Sequence, residues 1–120
     1  MIGIDITVIA RIEKMIEKFG NRALEKFLSK DEILLGKSSS SYAGFWAAKE
    51  AASKAIGTGI GKKCGFHDIK ITKSKNGKPK LKYKKHLRKK FNIKQSSVSI
   101  THDGGFAIAV VVNQKGIVLI

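Results

Sequence analysis

A chain of 120 residues with 42% hydrophobic side chains is sized for one domain with a modest core, a size that often gains stability by oligomerising. Twenty-four Lys and Arg against nine Asp and Glu leave a net charge of +15, which calls for an anionic partner: nucleic acid, a membrane surface, an acidic protein or a phosphorylated small molecule. The lone Cys64 excludes an internal disulfide and a thiolate metal site and points to a reducing cytoplasm, while the absence of an apolar run of about 18 residues excludes a membrane-spanning helix.

The N-terminal "MIGIDITVIARIEK" carries Asp5 within its apolar stretch and has no basic lead-in, so it reads as mature structure and not as a signal peptide. "IGIDITVI" alternates apolar and polar residues, predicting a strand at residues 2–7. Ile9, Ile12, Met15, Ile16 and Phe19 then recur at helical spacing, and Gly20 is the stop. Arg11, Lys14, Lys18, Arg22 and Lys26 follow at three- or four-residue intervals, a basic ridge beside the apolar stripe. Ser29 and Glu32 fit an S-x-x-E capping box. "GKSSSS" at 36–41 has the composition of a flexible loop and suggests a lid. The alanine-rich stretch from Tyr42 to Ile56 predicts a helix ended by Gly57. "HDIKITK" and "PKLKY" flank "SKNGK", and Asn76-Gly77 is a strong hairpin signal. "KKHLRKKF" predicts a short basic helix, "SSVSITH" and "FAIAVVV" two strands joined by "DGG", and "GIVLI" a last strand. The sum is an α+β fold, helices packed on a mainly antiparallel sheet, over a single domain at 1–120.

Within this scaffold Trp46, Glu50 and Lys54 lie four residues apart on one helical face, with Ser53 beside Lys54. That line makes either a surface salt bridge or a phosphate and metal site. Asp5, an acid among apolar strand neighbours, needs a partner or a metal. Asp5 and Glu50 are too few carboxylates to cage calcium but suit Mg²⁺, which completes its shell with waters and substrate phosphates; Lys49 and Lys54 would balance the phosphate charge. The glycine-rich "GTGIGKK" can turn backbone N–H groups toward an anion. His67 and His86 lack the spacing partners of a zinc site, and Cys64 reads as a small buried apolar residue.

Taken together, "GIDITVIARI" at 3–12, "FWAAKEAASKAIGTGIG" at 45–61, "NGKPKL" at 76–81 and "SITHDGGFAIAVVV" at 99–112 resemble the holo-[acyl-carrier-protein] synthases, small 4′-phosphopantetheinyl transferases. The resemblance covers essentially the whole chain. It implies that a serine of an apo acyl carrier protein attacks the β-phosphate of coenzyme A, taking up 4′-phosphopantetheine and releasing adenosine 3′,5′-bisphosphate, in support of fatty acid biosynthesis. By motif position it implies Asp5 and Glu50 as Mg²⁺ ligands and Lys54, with Lys49, on the phosphates. Ser53, Gly57, Gly59 and His102 would lie along the coenzyme A site, and Asn76, Gly77, Lys78 and Pro79 at its nucleotide end. The base is left open between Glu50 and a metal-bound water. The resemblance also implies an acidic carrier protein docking on Arg11, Arg22 and Lys26, and a homotrimer with sites at subunit interfaces. Phe45 departs from the family pattern, which often has arginine there. No specific nucleic-acid partner is expected: a nucleic-acid module would account for the charge but not for Asp5 and Glu50, and the aromatics do not alternate with basic residues as a stacking platform requires.

Overall fold

The computed structural model describes residues 1–117. Strand β1 (Ile2–Val8) runs directly into helix α1 (Ile9–Phe19), followed by α2 (Asn21–Glu25), α3 (Lys30–Leu35) and the long α4 (Ser39–Ala55). A short 3₁₀ turn at Phe66–Asp68 leads to β2 (Ile69–Lys73) and β3 (Pro79–Tyr83), then α5 (Lys85–Lys90), β4 (Ile93–Asp103) and β5 (Phe106–Lys115). Two antiparallel sheets result, one in the order β1-β5-β4 and one of β2 with β3. The α+β expectation holds.

Local chemistry sets most boundaries. Gly20 adopts φ +59° and its N–H closes α1 on the Ile16 carbonyl, a left-handed stop that glycine makes without a Cβ penalty. Ser29 Oγ accepts from Glu32 N–H while Glu32 Oε1 accepts from Ser29 N–H, completing the capping box on α3. The β4–β5 turn has both Gly104 (φ +56°) and Gly105 (φ +84°) left-handed, as a two-residue hairpin with matching twist demands. The β2–β3 hairpin forms where expected, but only Gly77 of its loop is left-handed (φ +79°), so Asn76-Gly77 builds a longer loop and not a two-residue one.

Two expectations change, and a third lies mostly outside the described residues. The serine run is no loop or lid: Ser38 caps α4 by accepting from Ser41 N–H, and residues 39–41 form its first turn, because serine satisfies orphan helix donors as well as it populates loops. Phe19 does not join the buried stripe of α1; it is 51% exposed, with Lys18 and Lys26 ammonium groups 5.4 and 5.8 Å from its ring centre. Within "GIVLI", Gly116 and Ile117 have no regular structure and the remainder lies outside the described residues.

The core sits between α4 and the two sheets, built from Phe27, Leu28, Phe45, Ile69, Ile71, Leu87 and the alanines of α4. Alternation along β1 sends Gly3, Asp5 and Thr7 inward to α4 and leaves Ile2, Ile4, Ile6 and Val8 on the outer face. Gly3 has no room for more: a Cβ there would stand 2.6 Å from the Ala55 nitrogen. This close crossing brings the charged residues of α4 to Asp5.

Candidate active site

Asp5 lies at the middle of β1, and its Oδ1 accepts from Lys54 Nζ at 2.9 Å while its Oδ2 accepts from Thr7 Oγ1 at 3.0 Å. Lys54 also donates to the Ile4 carbonyl at 3.3 Å. One helical turn before Lys54, Glu50 is half-buried and its carboxylate has no hydrogen-bond or ion-pair partner among the described residues. Burial first, and the charge of Asp5 second, push its carboxyl above the ordinary range, while Lys54 and Arg11 pull it back down. The Lys54 ammonium is held up by its hydrogen bond to Asp5. Arg11 stacks over Trp46, its guanidinium carbon 5.7 Å from the ring centre, so the first residue of the basic ridge also borders the carboxylates.

These neighbours satisfy a simple test for a divalent cation. Two carboxylates crowd each other, one of them unpartnered, in a place where a hard cation would relieve the repulsion. Among the described residues, no cluster of three or more His, Cys, Asp or Glu exists, so the donor set suits an ion that keeps most of its ligands as water and phosphate, as Mg²⁺ does.

At the other half of α4, Ser41 and Phe45 line a cavity of about 160 Å³ with Lys73, Gly77, Pro79, Ile100 and His102. Thus His102 and the hairpin residues expected at the nucleotide end meet in one place. Phe45, which departs from the arginine common in the family pattern, is buried and gives the cavity an apolar wall. His102 donates through Nε2 to the Ser40 carbonyl at 2.8 Å; a carbonyl cannot donate, so Nε2 carries the proton. Asn76 and Lys78 are exposed at the loop. From Ser41 to Lys54 is about 20 Å along a helix, so a single chain holds the two clusters well apart. Arg22 and Lys26 are exposed on α2 and just beyond it.

Other candidates are not placed as expected. Lys49 is fully buried, its ammonium donating to Glu32 Oε1 at 2.8 Å and to the Phe27 carbonyl at 2.7 Å, so it is not free to meet a phosphate. Each helical residue turns about 100°, and Lys49 therefore faces the core while Glu50 faces β1. Ser53 is also buried, its hydroxyl donating to the Glu50 carbonyl at 2.7 Å. The N–H groups of Gly57 and Gly59 close the helix end on the Lys54 and Ser53 carbonyls at 3.0 and 3.2 Å, which leaves them no donor for an anion. What these two glycines supply is left-handed backbone, φ +80° and +64°, and a surface free of side chains. Thr7 was not singled out from sequence, although the alternation that placed Asp5 inward places Thr7 beside it.

Residues 1–111 match the family model of the 4′-phosphopantetheinyl transferase superfamily. The chain belongs to that superfamily. The holo-[acyl-carrier-protein] synthase of Aliarcobacter butzleri is 69% identical over 113 residues, 94% of this chain and 96% of that protein. The crystal structure of Helicobacter pylori holo-[acyl-carrier-protein] synthase, in complex with coenzyme A, superposes with a TM-score of 0.91 at 55% identity, covering 95% of this chain and all of the other. The enzyme from Bacillus anthracis, in complex with CoA (3′,5′-ADP), gives a TM-score of 0.80 at 39% identity, with 96% of each chain covered. This phosphopantetheinyl transferase is therefore an enzyme of the holo-[acyl-carrier-protein] synthase kind.

Proposed function

We propose that this phosphopantetheinyl transferase moves 4′-phosphopantetheine from coenzyme A to a serine of an acidic acyl carrier protein, in a Mg²⁺-dependent reaction that serves fatty acid biosynthesis in the cytoplasm. The domain spans residues 1–120. The observation that carries the reading is the meeting of Asp5 from β1 with Glu50 and Lys54 from α4. Asp5 and Glu50 would hold the metal, which supplies positive charge to the pyrophosphate when bound. Lys54, exposed and charged beside them, binds the phosphate and offsets charge that grows on the leaving oxygen. The serine proton would pass to Glu50 or to a water beside the metal. Thr7 holds Asp5 in rotamer. Gly57 and Gly59 leave the wall beside Lys54 open, and the cavity of Gly77, Pro79 and His102, with Asn76 and Lys78 at its rim, takes the nucleotide end.

A homotrimer is supported by the outer face of the β1-β5-β4 sheet. Ile2, Ile4, Ile6 and Val8 are 70, 61, 58 and 45% exposed, and Phe106 and Val112 beside them 41 and 47%. A contiguous apolar face of this kind on a soluble domain is characteristic of an interface. The separation of the carboxylates from the hairpin cavity along α4 gives the assembly a purpose, since a neighbouring copy can bring its hairpin to this copy's carboxylates. Arg11, Arg22 and Lys26 would receive the acidic carrier protein, chiefly by raising its association rate. No helix of the described residues is long and apolar enough to cross a membrane.

The test is intact-protein mass spectrometry of an apo acyl carrier protein incubated with the enzyme and coenzyme A, with Mg²⁺ or with excess chelator. The expected result is a gain of one phosphopantetheine only where the metal is present. No gain with any of several carrier proteins would overturn the assignment, and an equal gain in chelator would remove the metal from it.

A further inference from the structure

Between residues 69 and 102 the chain carries eleven lysines and one arginine and not one acid. The proposed reaction uses little of this charge. Lys70 stands directly opposite Lys82 across the β2–β3 ladder, and like charges so placed are destabilising. Lys85 and Lys89 repeat the conflict at four-residue spacing on α5. Lys84 alone in this segment has an acidic partner among the described residues, Asp68 at 3.6 Å. An uncompensated cluster of this density is at odds with a face built only for solvation.

The charges also converge on a shape. A cleft of about 430 Å³ opens between the outward face of the hairpin, α5 and β4, with Lys80, Lys82, Arg88 and Lys94 around Thr72 and Ser96. Arg88 is fixed there by a hydrogen bond from Nη1 to the Tyr83 carbonyl. Neither Asp5, Glu50 and Lys54 nor the residues of the His102 cavity line this cleft.

We propose that this cleft and the lysines around it bind the sugar-phosphate backbone of double-stranded nucleic acid, without reading sequence. A lipid surface fits less well, because none of the strongly exposed large apolar residues falls between 69 and 102 and interfacial docking needs an apolar anchor. Single strands fit less well because Tyr83 is buried and Phe91 only partly exposed, leaving no platform on which bases stack. A duplex requires neither: it offers ordered phosphates to a rigid basic surface and releases counterions when they are neutralised.

The test is fluorescence anisotropy of the full-length enzyme with labelled RNA and DNA duplexes of arbitrary sequence, across salt. Binding should persist at physiological salt and fall steeply above it. Lys82→Gln with Lys94→Gln should flatten the salt dependence by two contacts, making the loss between 50 and 200 mM about 12-fold smaller, with phosphopantetheine transfer unchanged. Lys14→Gln with Lys18→Gln removes equal charge elsewhere and should leave the slope as it is. Equal effects of the two pairs would show a response to net charge and overturn the proposal. So would loss of all binding at physiological salt, or phosphatidylglycerol vesicles displacing the duplex from the cleft at that salt.

Discussion

Replacing Lys49 with methionine separates a structural ion pair from a phosphate contact. In the fold its ammonium is 2.8 Å from Glu32 Oε1, with side-chain exposures of 0 and 2%. Glu32 also accepts from Ser29 N–H and Ile71 N–H, each at 2.8 Å, so it cannot leave when the lysine is lost. Removing one member of a buried pair strands the other charge and costs about 3–5 kcal/mol. Against a total on the order of 6–18 kcal/mol for a chain of this length, that is about a sixth of the stability or more. Urea titration at neutral pH should show the loss, and adding Glu32→Gln to the variant should restore about 1–2 kcal/mol by removing the stranded charge while one oxygen still accepts an N–H. The KM for coenzyme A, measured on folded protein, should not move. A variant of unchanged stability with a raised KM would place Lys49 on the phosphate and refute the reasoning.

Glu50→Gln should lower transfer by at least about a hundredfold yet not destabilise the protein. Its carboxyl titrates higher folded than unfolded, so ionisation opposes folding from about pH 4 upward; in chelator the variant should melt at or above the wild type at neutral pH and match it in acid, and a lower melting point at neutral pH would contradict the unpartnered carboxylate. Gly3→Ala puts a Cβ against the α4 backbone, costing about 1–3 kcal/mol and about a hundredfold in kcat/KM as Glu50 and Lys54 shift from Asp5; normal activity and melting would show that the spacing of helix and strand does not set the site. Ile4→Glu with Ile6→Glu should give a monomer by sedimentation velocity and abolish transfer, whereas an intact trimer would locate the interface elsewhere.

What was legible in the sequence was what short-range chemistry decides. The left-handed glycines at 20, 104 and 105, the Ser29–Glu32 box and the alternation around Asp5 each act within a few residues, and each was found. Lys49 and Lys54 were given the same phosphate role because both flank Glu50 in the string, and only the partner of Lys49 distinguishes them. That partner, Glu32, lies 17 residues earlier and already had a local role in the capping box, so nothing in the string advertised its second one. The serine run failed for a related reason: serine composition does not say whether the hydroxyl caps a helix or solvates a loop, and here the packing of Tyr42 and Ala43 commits the segment to α4.

The two charges of "KE" divide the labour of one helix. Inward, Lys49 ties α4 to Glu32 and through it to α3 and β2, which fixes the rotation of the helix about its axis. Outward, that rotation aims Glu50 and Lys54 at β1, where Gly3 lets the backbones approach closely enough for Lys54 to reach Asp5. The net charge of +15 then acts at two ranges. Beyond the Debye length of about 8 Å it is screened, and closer in it favours anions and opposes a bare divalent cation, as the proposed pyrophosphate and acidic carrier would require. In the proposed site a carboxylate pair in such a field would hold a cation best when the phosphates arrive with it, so two acids would suffice where a resident metal would need more.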